Sequence, residues 1–213
     1  FANHVGATFM YSDIGMLLLG EVVARLGGAP LDVALHDYVM GPLALGATYR
    51  PLDNGVTTSV IAPTEVDETW RKRRVHGEVH DENAFGLGGI AGHAGLFARV
   101  DDIARFGAAW LRQDVPGLPA AMHATATSPQ HTDETVQRGL GWHLNADGSA
   151  GSRFSARAFG HTGFTGTVLW ADPERDLVVA LLTNRVYYGR QNATFHPFYG
   201  TLNDTIADLI DGI

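Results

Sequence analysis

The stretch from Ile14 to Leu26 is apolar on nearly every face of a helix, with Ser12 and Asp13 offering N-cap oxygens before it and Gly27-Gly28 supplying a stop after it. A helix with no polar side has nothing to present to water, so the sequence predicts that it lies in the middle of a fold. Its longest unbroken apolar run, Ile14 to Leu19, falls far short of the roughly 20 residues a membrane span needs.

The rest of the chain gives this helix its surroundings. Pro30 to Val39 predicts a second, shorter helix, since Pro suits a first turn and Leu31, Leu35 and Tyr38 share one side. From Gly46 to Gly95, Pro, Gly, Thr and His are scattered without a sustained period, which predicts loops with short strands. Asp101 or Asp102 is expected to cap a helix in which Ile103, Phe106, Trp110 and Leu111 recur at helical spacing, and a further helix is expected from Pro119 to Thr125. After Gly139 the pattern turns to strands: Leu140 to Leu144, a Gly-rich tip at Asn145 to Gly151, and a run into Phe159-Gly160. Thr167 to Trp170 and Leu177 to Thr183, joined by Asp172-Pro173-Glu174-Arg175-Asp176, predict an antiparallel hairpin. Leu202, Ile206, Leu209 and Ile210 make one apolar face of a closing helix from about Thr201 to Ile210. The expected class is α/β of the segregated α+β kind, an antiparallel sheet covered by a C-terminal helix. The helical and loop region runs to about 135, and sheet and closing helix fill about 136–213.

A net charge of −8 over 213 residues argues against nucleic acid or an anionic membrane surface as a partner. The basic run Arg71 to Arg74 lies beside Asp67, Glu68 and Glu78 and is expected to be a solvated loop. The chain has no Cys, which removes disulfides, thiolate metal sites and a Cys nucleophile. It opens on Phe1 with no basic segment leading into an apolar one, so the expectation is of a cut or trimmed start.

Three short stretches carry candidate chemistry. Tyr11-Ser12-Asp13 places a phenol at a helix entrance, where the positive end of the helix dipole favours phenolate and hence a proton acceptor; alone it also fits a Tyr packed under an N-cap. Gly160-His161-Thr162-Gly163-Phe164-Thr165-Gly166 enters a strand. Its glycines let a peptide-like ligand approach a strand edge beside a proton carrier and a hydroxyl, and alone it also fits a Gly-rich bulge. His76, His80 and His93 raise a zinc site of three histidines. Gly77 and Gly92 disfavour a helical presentation of those ligands, and the Glu that a zincin carries after its first His is absent.

In their order, these stretches resemble the serine β-lactamase and penicillin-binding-protein superfamily, from about Gly6 to the C-terminus. Tyr11-Ser12-Asp13 followed by Ile14-Gly15-Met16-Leu17-Leu18-Leu19-Gly20-Glu21 is similar to that family's Tyr element, and His161-Thr162-Gly163 to its Lys/His-Thr-Gly strand. Val75 to Phe97 looks like a subgroup of low-molecular-mass penicillin-binding proteins and related esterases. The resemblance implies a β-lactamase/transpeptidase-like fold and a hydrolase acting through an acyl-serine intermediate on amide, ester or β-lactam bonds. It implies Tyr11 as general base or proton relay, Asp13 in place of the commoner Asn that contacts substrate, and His161 where a Lys usually supports the base. It also implies Thr162, Gly163 and the backbone N–H of Phe164 as substrate-binding groups, the last as an oxyanion donor. Neither a cofactor nor a resident metal is implied. The implied partner is a small-molecule or peptide substrate, and the implied setting is extracytoplasmic.

The family's Ser-x-x-Lys should precede the Tyr element, and here it does not. The single lysine, Lys72, follows Thr69 by three residues in a charged stretch downstream. The expectation is therefore that this is the C-terminal portion of one such domain, with the nucleophile on a missing N-terminal segment and this portion alone inactive. The competing expectation is a relative that binds peptidoglycan-like peptides without a nucleophile.

Overall fold

The computed structural model describes residues 4, 9–132, 137–191 and 195–212. Ser12 stands in extended backbone and its Oγ accepts from the Gly15 N–H at 3.1 Å, starting α1 (Asp13–Gly27); Gly28, at φ 65°, closes it. α2 (Leu31–Leu35) runs on through a π-type turn at His36–Met40. Short pieces follow: β1 (Thr48–Tyr49), β2 (Val66–Asp67), β3 (Arg73–Arg74), α3 (Glu82–Gly86) and β4 (Leu96–Phe97), with β1 paired to β4 and β2 to β3. α4 (Val100–Arg112) and α5 (Ala120–Ala126) lead into a six-stranded antiparallel meander of β5 (His131–Thr132), β6 (Gln137–Arg138), β7 (His143–Leu144), β8 (Phe159–Gly163), β9 (Thr167–Asp172) and β10 (Leu177–Leu182). α6 (Phe195–Asp211) ends the chain.

Alternation along β9 builds two cores. Val168 and Trp170 point to one face, where they pack with Val179, Phe195, Tyr199 and Ala207 beneath α6. Leu169 and Ala171 point to the other, against Phe159, Trp142, Phe106 and Trp110 beneath α4 and α5. The sheet is thus covered on both faces, and the expected closing helix is longer than the apolar pattern alone predicted. Asp172, fully buried at the end of β9, accepts hydrogen bonds from the Ser155 N–H and Oγ, the Glu174 N–H and Arg175 Nη1, tying the β9–β10 turn to the segment before β8.

Three expectations are corrected. α1 is not enclosed among the described residues: Ile14, Leu18, Leu19, Val22 and Leu26 are exposed, and Gly20 is its one buried residue. Its covered side crosses the backbone at Gly92, where a Cβ would meet the Met16 carbonyl oxygen at 2.1 Å. The described residues cover only that side, which is why an all-round apolar helix shows its remaining faces. α4 begins at Val100 with Arg99 as its uncapped N-cap residue; Asp102 is buried instead, accepting from the Gly46 N–H at 3.0 Å and pairing with Arg105. The basic run is solvated only in part: Lys72 and Arg73 are exposed, but the Arg71 side chain is buried. It pairs with Asp67 and donates to the carbonyl oxygens of Val79 and His80.

No single helix among the described residues is long and apolar enough to cross a membrane. An open apolar face of this size drives association in water. The isolated chain of residues 1–213 is therefore expected to self-associate, eluting in gel filtration ahead of a monomer; a sharp monomer peak at low concentration would contradict this.

Candidate active site

The Tyr and His-Thr-Gly stretches, far apart in sequence, meet. The Ser12 cap aims α1 so that the Tyr11 ring stands 6.2 Å from the His161 ring on β8, centre to centre. A third group, Arg138 on β6, reaches between them: its guanidinium carbon is 5.9 Å from the centre of the Tyr11 ring, and Nη1 donates to His161 Nε2 at 3.3 Å.

Electrostatics assign each group a resting state. Burial first, and the Asp13 carboxylate second, push the Tyr11 phenol above its ordinary value, with Arg138 pulling the other way. The dipole-based expectation of a favoured phenolate is thus outweighed, and Tyr11 rests as a neutral phenol. Burial pushes the His161 imidazole down. Its Nδ1 contact to the Thr162 carbonyl oxygen at 2.7 Å opposes the fall, and Arg138 and His143 add to it. Burial also lowers Arg138, though a guanidinium starts so high that it stays charged. Asp13 is exposed at the first helical position, and Thr162 and Gly163 continue β8 in register with Val168 and Thr167. The Phe164 N–H, in the turn beyond the strand, donates to no backbone acceptor among the described residues.

In the His-rich stretch, His80 lies against this strand end, and the three histidines do not converge. His76 Nε2 faces the carbonyl oxygens of Thr58 and Ile61, His80 Nδ1 faces Thr64 Oγ1, and His93 Nε2 meets Asp81 Oδ1, so the three rings point to separate partners. Among the described residues no cluster of three metal-ligating side chains exists. His80 instead stacks on Phe164 at 5.7 Å, while Arg185 and Arg190 lie over the same ring. Arg190 bridges Glu65 and Glu82, binding the loop ahead of β2 and the helix α3 to the strand that carries the motif. Thr69 and Lys72 have local structural work: Thr69 Oγ1 donates to Asp67, and Lys72 Nζ donates to the Glu68 carbonyl oxygen.

These buried groups give a signed pH dependence. His80, His143 and His161 are all lowered, chiefly by burial. Asp67 is held below the usual carboxylate range by the Trp70 N–H and by Arg71. Asp172 lies below that range too, since the hydrogen bonds from Ser155, Glu174 and Arg175 outweigh the burial that pushes it up. In both classes the unfolded chain takes up protons first, so stability is full above the unfolded values and is lost as pH falls. Melting temperature should begin to drop below pH about 6.5 and fall again below about 4. A rise between pH 7 and 5.5 would contradict the assignment.

Comparison with known proteins adds family and extent. Residues 2–196 match the family model described as Beta-lactamase. A Bacillus subtilis (strain 168) protein named N-acetylmuramyl-L-alanine amidase is 40% identical over 200 residues, covering 84% of this chain and 45% of that protein. An Escherichia coli (strain K12) protein provisionally named D-alanyl-D-alanine carboxypeptidase is 34% identical over 200 residues, covering 84% and 46%. Among solved structures, a β-lactamase from Mycobacterium bovis superposes with a TM-score of 0.65 at 24% identity, covering 94% of this chain and 64% of that one. The chain spans about half the length of the relatives it matches.

Proposed function

Because the chain belongs to the β-lactamase family over residues 2–196, we propose that the protein containing it is a serine hydrolase that cleaves an amide bond at a D-alanyl residue through an acyl-serine intermediate. Esters and β-lactams are further substrates with the same acyl chemistry. The observation that carries the reading is the convergence of Tyr11, Arg138 and His161 at the open end of β8. The name of the Escherichia coli relative refers to D-alanyl-D-alanine, which supports the D-alanyl substrate, while the name of the Bacillus subtilis relative refers to L-alanine and supports amide hydrolysis alone.

The nucleophile is the Ser of a Ser-x-x-Lys element on the part of the protein outside these residues, packed over α1 and its exposed apolar side chains. A neutral Tyr11 then works as a two-way relay. As the serine oxygen attacks the carbonyl carbon, its proton passes to the Tyr11 oxygen, and the Tyr11 proton passes to the leaving amine as the C–N bond breaks. Water attacks the resulting ester by the reverse route, releasing a carboxylate and restoring the serine. The Phe164 N–H contributes one donor to the developing oxyanion. Thr162 and Gly163 present the strand edge along which a peptide lies, and Asp13 faces the substrate from the entrance of α1. The test is release of free D-alanine, by the full-length protein, from a peptide ending in D-alanyl-D-alanine, with a chromogenic ester in parallel. Absence of both activities would sink the reading.

A further inference from the structure

The turn that ends β8 ties back each of its carbonyls and leaves one N–H directed outward. The Gly166 N–H donates to the Gly163 carbonyl oxygen at 3.0 Å and closes the turn. In a trans peptide the C=O and N–H are antiparallel, so with the Gly163 carbonyl turned inward the Phe164 N–H of the same peptide points out of the turn.

The next three carbonyls are held by residues 183–185, where the chain leaves β10. The Phe164 oxygen accepts from Arg185 Nε at 2.6 Å, the Thr165 oxygen from the Arg185 N–H at 3.0 Å, and the Gly166 oxygen from the Thr183 N–H at 3.0 Å and Oγ1 at 2.6 Å. Gly166, at φ 102°, packs so closely on this segment that a Cβ would strike Thr183 Oγ1. The Arg185 guanidinium carbon also stands 4.7 Å from the centre of the Phe164 ring, and its Nη1 donates to the Arg190 carbonyl oxygen at 3.4 Å. One side chain thus holds both the carbonyl and the ring of the residue whose N–H faces outward.

An oxyanion donor works by being aimed before charge develops, so a donor on a loose turn would have to be ordered again in each transition state. Resting on the hydrolase reading above, we propose that Arg185 is a positioning residue for the oxyanion site, acting through Phe164 to fix the direction of its N–H.

The experiment uses the full-length protein as wild type, Arg185→Met and Arg185→Lys. Met keeps the side-chain stem and removes the donors; Lys keeps one donor and the charge. Turnover is measured on a peptide ending in D-alanyl-D-alanine and on a chromogenic ester, together with melting temperature and inhibition by an alkyl boronic acid. A serine oxygen adds to the trigonal boron of that probe, losing its proton to solvent, and the tetrahedral adduct places an oxygen where the oxyanion forms. Arg185→Met should lower kcat about 10- to 100-fold on both substrates, change KM by less than about threefold, and weaken boronate inhibition by a factor similar to that in kcat. Arg185→Lys should recover part of both losses. With an active wild type, unchanged kcat and boronate inhibition in Arg185→Met, a loss carried by KM alone, or a loss that follows melting temperature with Lys no better than Met would overturn this assignment and leave the hydrolase reading intact. A wild type that turns over neither substrate and is not bound by the boronic acid would overturn both.

Discussion

Replacing Tyr11 by Phe in the full-length protein is expected to lower kcat by about 10²- to 10⁴-fold with little change in KM or melting temperature. The phenol is more than half exposed, and no hydrogen bond to its oxygen is present among the described residues, so folding does not depend on it. Phe keeps the ring that faces His161 and the Arg138 guanidinium, and removes only the oxygen that carries protons. A loss confined to KM, or a fall in melting temperature matching the fall in rate, would show that Tyr11 serves packing instead.

The second large effect is expected at His161, where Lys is the residue most members of the family use. His161→Lys should reduce activity and lower the melting temperature, because the new ammonium would stand beside the Arg138 guanidinium, which now lies 3.3 Å from the imidazole nitrogen. Two like charges 4 Å apart repel by about 4 kcal/mol at an effective dielectric of 20. Side-chain relaxation should reduce this to about 2 kcal/mol, a drop of roughly 4 to 8 °C for a protein of about 150–250 residues and less for a longer one. The paired change Arg138→Gln with His161→Lys should recover most of the stability. If His161→Lys alone is neutral or activating, Arg138 is not the charge that replaces the family's lysine.

Much of the fold was legible because its signals are local. The Ser12 cap and Gly28 stop of α1, the alternation in β9 and β10, and the turn at Asp172 to Asp176 each report on neighbours a few residues away. The elements that escaped depend on distant partners. α3 is five residues started by the Asp81 side chain and has no room for a periodic pattern. α6 starts at Phe195, where Pro197 in the first turn was a usable start signal that the apolar face of Leu202 to Ile210 overshadowed. Asp102 has the position of a cap, yet it is claimed by Gly46 from another part of the chain.

The site divides along the same line. Tyr11, Asp13, His161, Thr162, Gly163 and Phe164 sit in two contiguous stretches whose residue types carry their own chemistry. Arg138 acquires its place only when β6 joins the meander, and Arg190 only when it bridges Glu65 and Glu82 beside Phe164. No spacing along the chain announces either. The histidines misdirect for the opposite reason: their spacing suggests a shared ion, while the backbone at Gly77, at φ 74°, and at Gly92 turns each ring to a separate partner.

The measurement that reaches the central claim most directly is covalent labelling of the full-length protein with a fluorescent penicillin or a fluorophosphonate, followed by mass-spectrometric mapping of the modified residue. The account predicts one labelled serine, outside residues 1–213 and followed three positions later by lysine, with labelling strongly slowed in Tyr11→Phe. Absence of labelling, or a labelled serine within residues 1–213 that Tyr11→Phe leaves unaffected, would contradict it.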